Sequence, residues 1–473
     1  MERTNAKACA APDSRRRLLV AMIGAAVVTC LVTAGVAGAT SLKQIWDGSA
    51  TPTFTLQIPG SGVSSDAATA VVSTSSGVTY VAGCLGNAAG NNDLSLTEIV
   101  AGQKRWTKTY NGPAHGADTA QKIALGLKGV VYTAGWSNNA AGNADILLVK
   151  WSAAGKRLWV RRYDGPRHGD ENVTGLGVDK KGNVTVVGPS IGAHGTDFAV
   201  VSWSAKGVRR WSWRYDGSGH GYDPPSDLLV AKDSSVYVTG SVWVTGAKYA
   251  AFTARLSPAG KKLWTRVYAG PDGWGANANA LVACPKGGVY IAGSAIKATT
   301  GYDGMVVRYS STGAPSVFAL DSHGATGTTL QAFDDIAVTS GGHVIACGQT
   351  DETDSTGDAY FHDYTSTGAT AWSPIILYGS NYQAFSLVTT DKFGGYYLVG
   401  SPVVSASASD IFIYKGNQNA GAGFWQCLWG NDGSHTGYNT ANGVVVTGTT
   451  AYVVGSCAAA AAGTDQIVLG FQY

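Results

Sequence analysis

Between Asp145 and Asp170 the chain reads DILLVKWSAAGKRLWVRRYDGPRHGD, an apolar run, a Ser/Gly turn, an aromatic-basic alternation and a Gly-rich corner. Short β-type runs of this kind recur from end to end, four to a unit, and no helical period intervenes. In the second unit they are Lys122 to Leu127, Val130 to Ala134, Ile146 to Trp151 and Leu158 to Tyr163, joined by Gly, Asn, Asp and Ser turns.

Two rulers measure the period. A glycine closes an apolar run at Gly83, Gly135, Gly188, Gly240, Gly293, Gly348, Gly400 and Gly455, at spacings of 52 to 55 residues. A large aromatic follows a turn at Trp106, Trp159, Trp211, Trp264, Phe318, Trp372 and Trp425, at spacings of 52 to 54. The aromatic ruler is one short, because an eighth position falls beyond the last residue, Tyr473. Counting back from Trp106 lands on Phe54, in FTLQIPG, which reads like WTKTYNG at Trp106. Units of this length with four strands and no crossover helices predict an all-β fold, an eight-bladed β-propeller with four strands per blade. The strand around Phe54 is expected to complete the last blade and so close the ring. The recurring aromatics are expected to pack between blades, because one copy per unit suits one interface per unit better than a ligand site.

The first residues read differently. Arg15, Arg16 and Arg17 precede an apolar run from Leu18 to about Ala37, which ends in Ala37-Gly38-Ala39. Residues 1–39 are therefore expected to be an export signal, of a form resembling the twin-arginine type, or an uncleaved membrane anchor. Residues 40–50 follow as a linker and 51–473 as the propeller. The expected location is secreted or cell-surface. Removing the leader takes five of the 34 Lys/Arg and two of the 31 Asp/Glu, leaving 29 of each. A neutral body with 14% charged residues carries no electrostatic footprint for nucleic acid.

Five cysteines remain beyond the leader, Cys84, Cys284, Cys347, Cys427 and Cys457, none in a metal-ligand spacing, and no metal is expected. Cys84 and Cys457 occupy nearly the same place in the first and eighth units, so a disulfide between them and a set of idle buried thiols are both open.

Two recurring features resemble chemistry. An Asp opens the third strand of most units (Asp93, Asp145, Asp197, Asp303, Asp358, Asp410, Asp465), which suits a turn cap, since catalysis needs a carboxylate once. The corner YDGPRHGD from Tyr163 is echoed by YNGPAHGAD from Tyr110 and YDGSGHGYD from Tyr215, and weakly from Gly430. It places His115, His168 and His220 with Asp118, Asp170 and Asp223 along an arc of loops at one mouth of the channel. Such an arc is a ligand-binding candidate, since imidazoles beside carboxylates bind metals or move protons near neutral pH. The same residues also serve simply to turn the corner. The acidic run Asp351-Glu352-Thr353-Asp354 reads as a solvated turn rather than a calcium loop. No GxSxG, HExxH, GxxxxGK[ST] or SxxK constellation is present, and no cofactor is expected.

The string DILLVKWSAAGKRLWVRRYDG, continuing through DENVTGLGVDKKGNVTVVG, resembles the bacterial SBBP-type β-propeller repeat, most closely over the first five units. The resemblance implies an exported or surface-associated scaffold rather than a defined activity. Gly155-Lys156-Arg157-Leu158-Trp159 also looks like the tryptophan-docking motif of quinoprotein propellers. Val149 and Trp151 stand where that motif has its Ala and Asp, and the paired cysteines of quinoprotein dehydrogenases have no counterpart here. The expected function is a monomeric binding or scaffolding module for a protein or a cell-envelope polysaccharide. The alternative is an extracytoplasmic enzyme, a quinone-dependent dehydrogenase or a hydrolase or lyase, working at the His/Asp loops.

Overall fold

The computed structural model describes residues 52–472 apart from 62–64, 247, 322–328, 351–356, 378–383, 406–407, 419–424, 430–438 and 459–463. The leader, the Asp351–Asp354 run and the weak corner echo at Gly430 lie outside these residues. No helix among the described residues is long and apolar enough to cross a membrane.

The described chain is all-β apart from one 3-10 turn at Leu127–Gly129. Each repeat forms an antiparallel meander of four strands. The second repeat is typical, with strands Asp118–Leu125, Val131–Asn138, Ala144–Trp151 and Arg157–Tyr163 paired in chain order. The second and third strands are buried almost throughout, as their continuous apolar runs require. The fourth strand is the exposed edge and alternates charged with aromatic residues, as in Gln103–Tyr110, a composition that discourages edge pairing. The fifth and sixth repeats share one eight-stranded sheet through a short parallel pairing of Gly301 with Thr329 and Tyr302 with Leu330.

The first strands of successive repeats lie side by side, and the first strand of the last repeat, Thr440–Thr447, lies beside Ala67–Ser73 of the first. In seven of these first strands the pairing register skips one polar residue, namely Thr69, Gln121, Ser226, Asn279, Asp334, Ser386 or Asn442. These are β-bulges, and a bulged residue is free of the ladder and can aim sideways. Asn442 donates to the Ala68 carbonyl at 3.0 Å, Thr69 to Ala120 at 2.7 Å, Ser226 to Ala278 at 2.8 Å and Asn279 to Phe333 at 2.9 Å. Gln121 accepts from the Val173 amide at 2.9 Å. A belt of side-chain to backbone bonds thus ties neighbouring first strands together.

The glycine that ends each apolar run, on the second strand, has a steric cause. A Cβ there would lie 1.7 to 2.3 Å from a backbone carbonyl near the start of the first strand of its own sheet, such as Ala67 O for Gly83 and Thr119 O for Gly135. Only glycine lets the two backbones approach so closely.

The repeating aromatics sit on the fourth strands and lean onto the next repeat. The indole N–H groups of Trp159, Trp211 and Trp264 donate to the carbonyls of Ala205, Pro258 and Ser311, at 3.1 to 3.2 Å, in the next third-to-fourth turn. The rings of Trp106, Trp211 and Trp264 lie against the turn glycines Gly155, Gly260 and Gly313. Tyr290 pairs with Phe318 at 4.8 Å. Trp372 donates to the Gln418 carbonyl at 3.4 Å and is 41% exposed, the loosest of the set described. Trp425 opens a strand opposite Lys415, and its side chain lies outside the described residues.

Phe54 follows the same rule from the other end of the chain. Its strand, Phe54–Ile58, pairs antiparallel with the last strand, Thr464–Gln472, in the four-stranded sheet of the eighth repeat. Its ring lies against Gly102 of the first repeat and 5.7 Å from Tyr452. Its partner in register is Gly470, where the equivalent positions opposite Trp106 and Trp159 are Glu98 and Lys150.

Candidate functional site

The three histidines of the recurring corner share one backbone geometry. His115, His168 and His220 have φ of 51°, 51° and 53°, and each amide donates to the carbonyl of the corner glycine three residues earlier, Gly112, Gly165 or Gly217. A left-handed, non-glycine residue at the same place in three repeats is a built turn with its side chain turned outward. His168 Nδ1 lies 2.6 Å from Asp164 Oδ2 and His220 Nδ1 lies 2.7 Å from Asp216 Oδ2. The hydrogen bond and charge of Asp164 raise the pKa of His168 above its ordinary value. In the first corner Asn111 stands in place of the aspartate.

The carboxylates do not all take the places expected of them. Asp118 is buried and accepts from the Gly112 amide at 2.6 Å. Asp223 is buried and accepts from the Gly217 amide at 2.5 Å and the Trp243 amide at 2.6 Å. Asp66 does the same at the head of the first repeat, accepting from the Gly60 and Gly86 amides, both at 2.5 Å. These side chains brace the corner from inside. Burial raises the pKa of each, against the backbone hydrogen bonds that lower it. Asp170, of the same candidate set, stays at the exposed surface of its corner. It points outward and accepts from the Ala144 amide at 2.9 Å, whereas the bracing residue of that corner is the buried Glu171, bonded to Ser190 at 2.9 Å. The signal was present in the sequence, since Asp66, Asp118, Glu171 and Asp223 each lie six residues beyond the corner glycines Gly60, Gly112, Gly165 and Gly217.

The corners are docked on the hairpin between the second and third strands of the preceding repeat. Asn91 donates to the His115 carbonyl at 2.9 Å and Asn143 to the His168 carbonyl at 2.5 Å. The aspartates that open the third strands hold the same hairpins, with Asp93 accepting from Asn87 at 2.7 Å and Asp145 from Asn139 at 2.9 Å. In the third repeat Gly195 replaces the docking asparagine. It has φ of 144°, and a Cβ there would meet the Gly221 carbonyl at 2.2 Å. The tip lies directly on the corner and brings His194, which sequence reasoning missed, beside His220. The two rings are 4.8 Å apart, and His194 Nδ1 is 3.6 Å from Asp216 Oδ2. One ligand atom from each of His194, Asp216 and His220 lies within 4.8 Å of the others.

Of the two readings open for Cys84 and Cys457, the structure has the buried, free thiols. Cys84 follows Gly83 directly, while Cys457 lies two residues beyond Gly455. Strand alternation therefore turns them to opposite faces. Cys457 packs with Tyr397 and Val399 of the seventh repeat and accepts from Gln57 at 3.4 Å. Cys84 lies 3.5 Å from Asn92 Nδ2 and 3.9 Å from the Ser65 carbonyl. Each faces away from the joint that their two sheets share.

A cavity of about 250 Å³ opens among the first strands. Thr69, Lys122, Asp335, Leu387 and Asn442 are among its lining residues, drawn from five of the repeats. Burial raises the carboxyl of Asp335 to about 7, although the amides of Ile336 and Val388 bond it at 2.8 Å.

No protein-family profile matches the chain, and no curated protein matches it. The SBBP resemblance therefore stands on its motif residues alone. Solved structures do match. A quinohemoprotein alcohol dehydrogenase, ADHIIG of Pseudomonas putida HK5, aligns at a TM-score of 0.52 and 13% identity over 92% of this chain and 78% of that one. The polysaccharide lyase Uly1 aligns at 0.44 and 9% over 94% and 95% of the two chains. The β-propeller domain of the Trilobed protease of Pyrococcus furiosus aligns at 0.42 and 7% over 73% and 94%. At such identities the likeness concerns fold alone, and the repeated four-stranded antiparallel meanders are those of an all-β protein of the propeller kind.

Proposed function

We propose that this chain is an exported eight-bladed propeller of the SBBP type that acts as a binding or scaffolding module for a protein or a cell-envelope glycan. The eightfold ring is supported by the eight glycine-marked repeats, by the Asn442 to Ala68 bond in the belt, and by Phe54 taking the aromatic place of the last sheet. Export rests on the arginine and apolar pattern of the leader. Binding rather than turnover rests on one observation. The bracing carboxylates of the arc, Asp118, Glu171 and Asp223, are turned inward onto backbone amides or a hydroxyl, which leaves exposed histidines repeated from corner to corner. A repeated, open polar surface suits recognition of an extended partner, whereas catalysis needs one enclosed constellation.

The test is a glycan array and envelope-protein binding screen with the purified chain and with a triple His115→Ala, His168→Ala, His220→Ala variant. Saturable binding weakened in the variant, without product formation, is the expected result. Turnover of a polysaccharide that the triple substitution abolishes would replace this reading with an enzymatic one.

A further inference from the structure

The third corner carries a constellation that the first two lack. Their hairpin tips read Asn-Ala-Ala-Gly-Asn, while the third reads Gly-Ala-His-Gly. With no docking asparagine, the tip reaches the corner through Gly195 and Gly221 and sets His194 against His220 with Asp216 between them. Both Nδ1 atoms face the same Asp216 oxygen, at 3.6 and 2.7 Å. The other oxygen, Oδ1, is buried and has no hydrogen-bond partner. Asp216 also lies close to Asp197 and Asp223, with carboxylate oxygens of all three within 4.8 Å of one another. Arg214 pairs with Asp197 at 2.9 Å, so the group keeps an excess of negative charge. The imidazoles are both 58% exposed and open to solvent.

We propose that His194, Asp216 and His220 form a surface site for a divalent transition-metal ion of the zinc, cobalt or nickel type, with water completing the coordination. Two imidazole nitrogens and one carboxylate oxygen are a donor set for such ions, which bind these atoms at about 2.0 to 2.2 Å. Small rotations of two exposed rings bring the three atoms onto such a sphere. A shared cation would draw on the surrounding carboxylates Asp197, Asp216 and Asp223. The inner carboxylates and the packed glycines hold the backbone, so the site is assembled before the ion arrives. This inference does not depend on the proposed binding function.

The experiment uses the full chain without an affinity tag, stripped with a chelator and titrated with Co²⁺ and Zn²⁺. Calorimetry should find one equivalent of either ion, and Co²⁺ should develop a visible absorption band that Zn²⁺ then displaces. His194→Ala and His220→Ala should each weaken binding by about tenfold or more, whereas His168→Ala, at the second corner, should leave it unchanged. Because both rings are exposed, the two variants are expected to melt with the wild type in the absence of metal, which separates loss of ligands from loss of fold. The absence of saturable binding at one equivalent, or equal affinity in the wild type and both variants, overturns the assignment.

Discussion

A single atom decides the residue that marks each repeat. At Gly135 a Cβ would meet the Thr119 carbonyl at 2.0 Å, and backbone cannot move aside as a flexible side chain can. Gly135→Ala should therefore destabilise by about 2 to 3 kcal/mol in chemical denaturation. Gly142, on an exposed hairpin tip, has φ of 91° and nothing within 4 Å, so alanine there meets only the left-handed backbone and should cost about 1 kcal/mol. The corner histidines make a second prediction at this scale. With Asp164 at 2.6 Å raising its pKa, His168 should titrate at higher pH by NMR than it does in an Asp164→Asn variant. Identical titration in both would remove the pair.

At the scale of the element, the strand Phe54–Ile58 bonds to the far end of the chain. Its register with Thr464–Gln472 runs from Phe54 opposite Gly470 to Ile58 opposite Gln466. Gln466 reaches on into the first repeat, donating to the Cys84 carbonyl at 2.9 Å and Ser95 Oγ at 2.8 Å. Ile58 and Val468 are buried with Val81 of the first repeat in one cluster. Deleting Thr51 to Gly60 removes a ladder and exposes that cluster together, so the melting temperature of the whole body should fall by several degrees. Phe54→Ala should give a smaller loss of the same sign, because the ladder survives it. Unchanged melting on deletion would contradict a shared sheet.

At the scale of the molecule, the belt of bulged residues around the central cavity contains one carboxyl, Asp334, at the place of Asn279 and Asn442. Burial raises Asp334 to about 6, and its neighbour Asp335 to about 7. Asp227 and Lys122 act on Asp335 from the other first strands, with opposite signs. A carboxyl raised in the folded state holds its proton more tightly than in the unfolded chain. Its stabilising contribution is fully present below the ordinary value of 3.8 and is lost as pH rises through about 6 to 7. The protein should therefore melt at higher temperature near about pH 5 than near about pH 8. Asp334→Asn supplies the amide that the belt uses elsewhere and should raise the melting point at the higher pH while flattening the profile. A variant with the wild-type pH dependence would show that Asp334 does not titrate in this range.

The period, the four strands per unit and the place of Phe54 were legible in the sequence, because each follows from a local rule repeated eight times: a glycine at a close approach, a turn, an alternation. Single-residue phase was harder to read. Glu171 rather than Asp170 braces its corner, one residue further along the loop, and Cys84 and Cys457 face apart because one step along a strand reverses a side chain's direction. Only the tertiary structure decided that His194 meets His220. That contact depends on which hairpin tip rests on which corner, and a glycine in place of an asparagine at Gly195, unremarkable in a chain with 64 glycines, shortens the distance between them. Local rules fix what every repeat shares, and packing between repeats fixes where one of them differs.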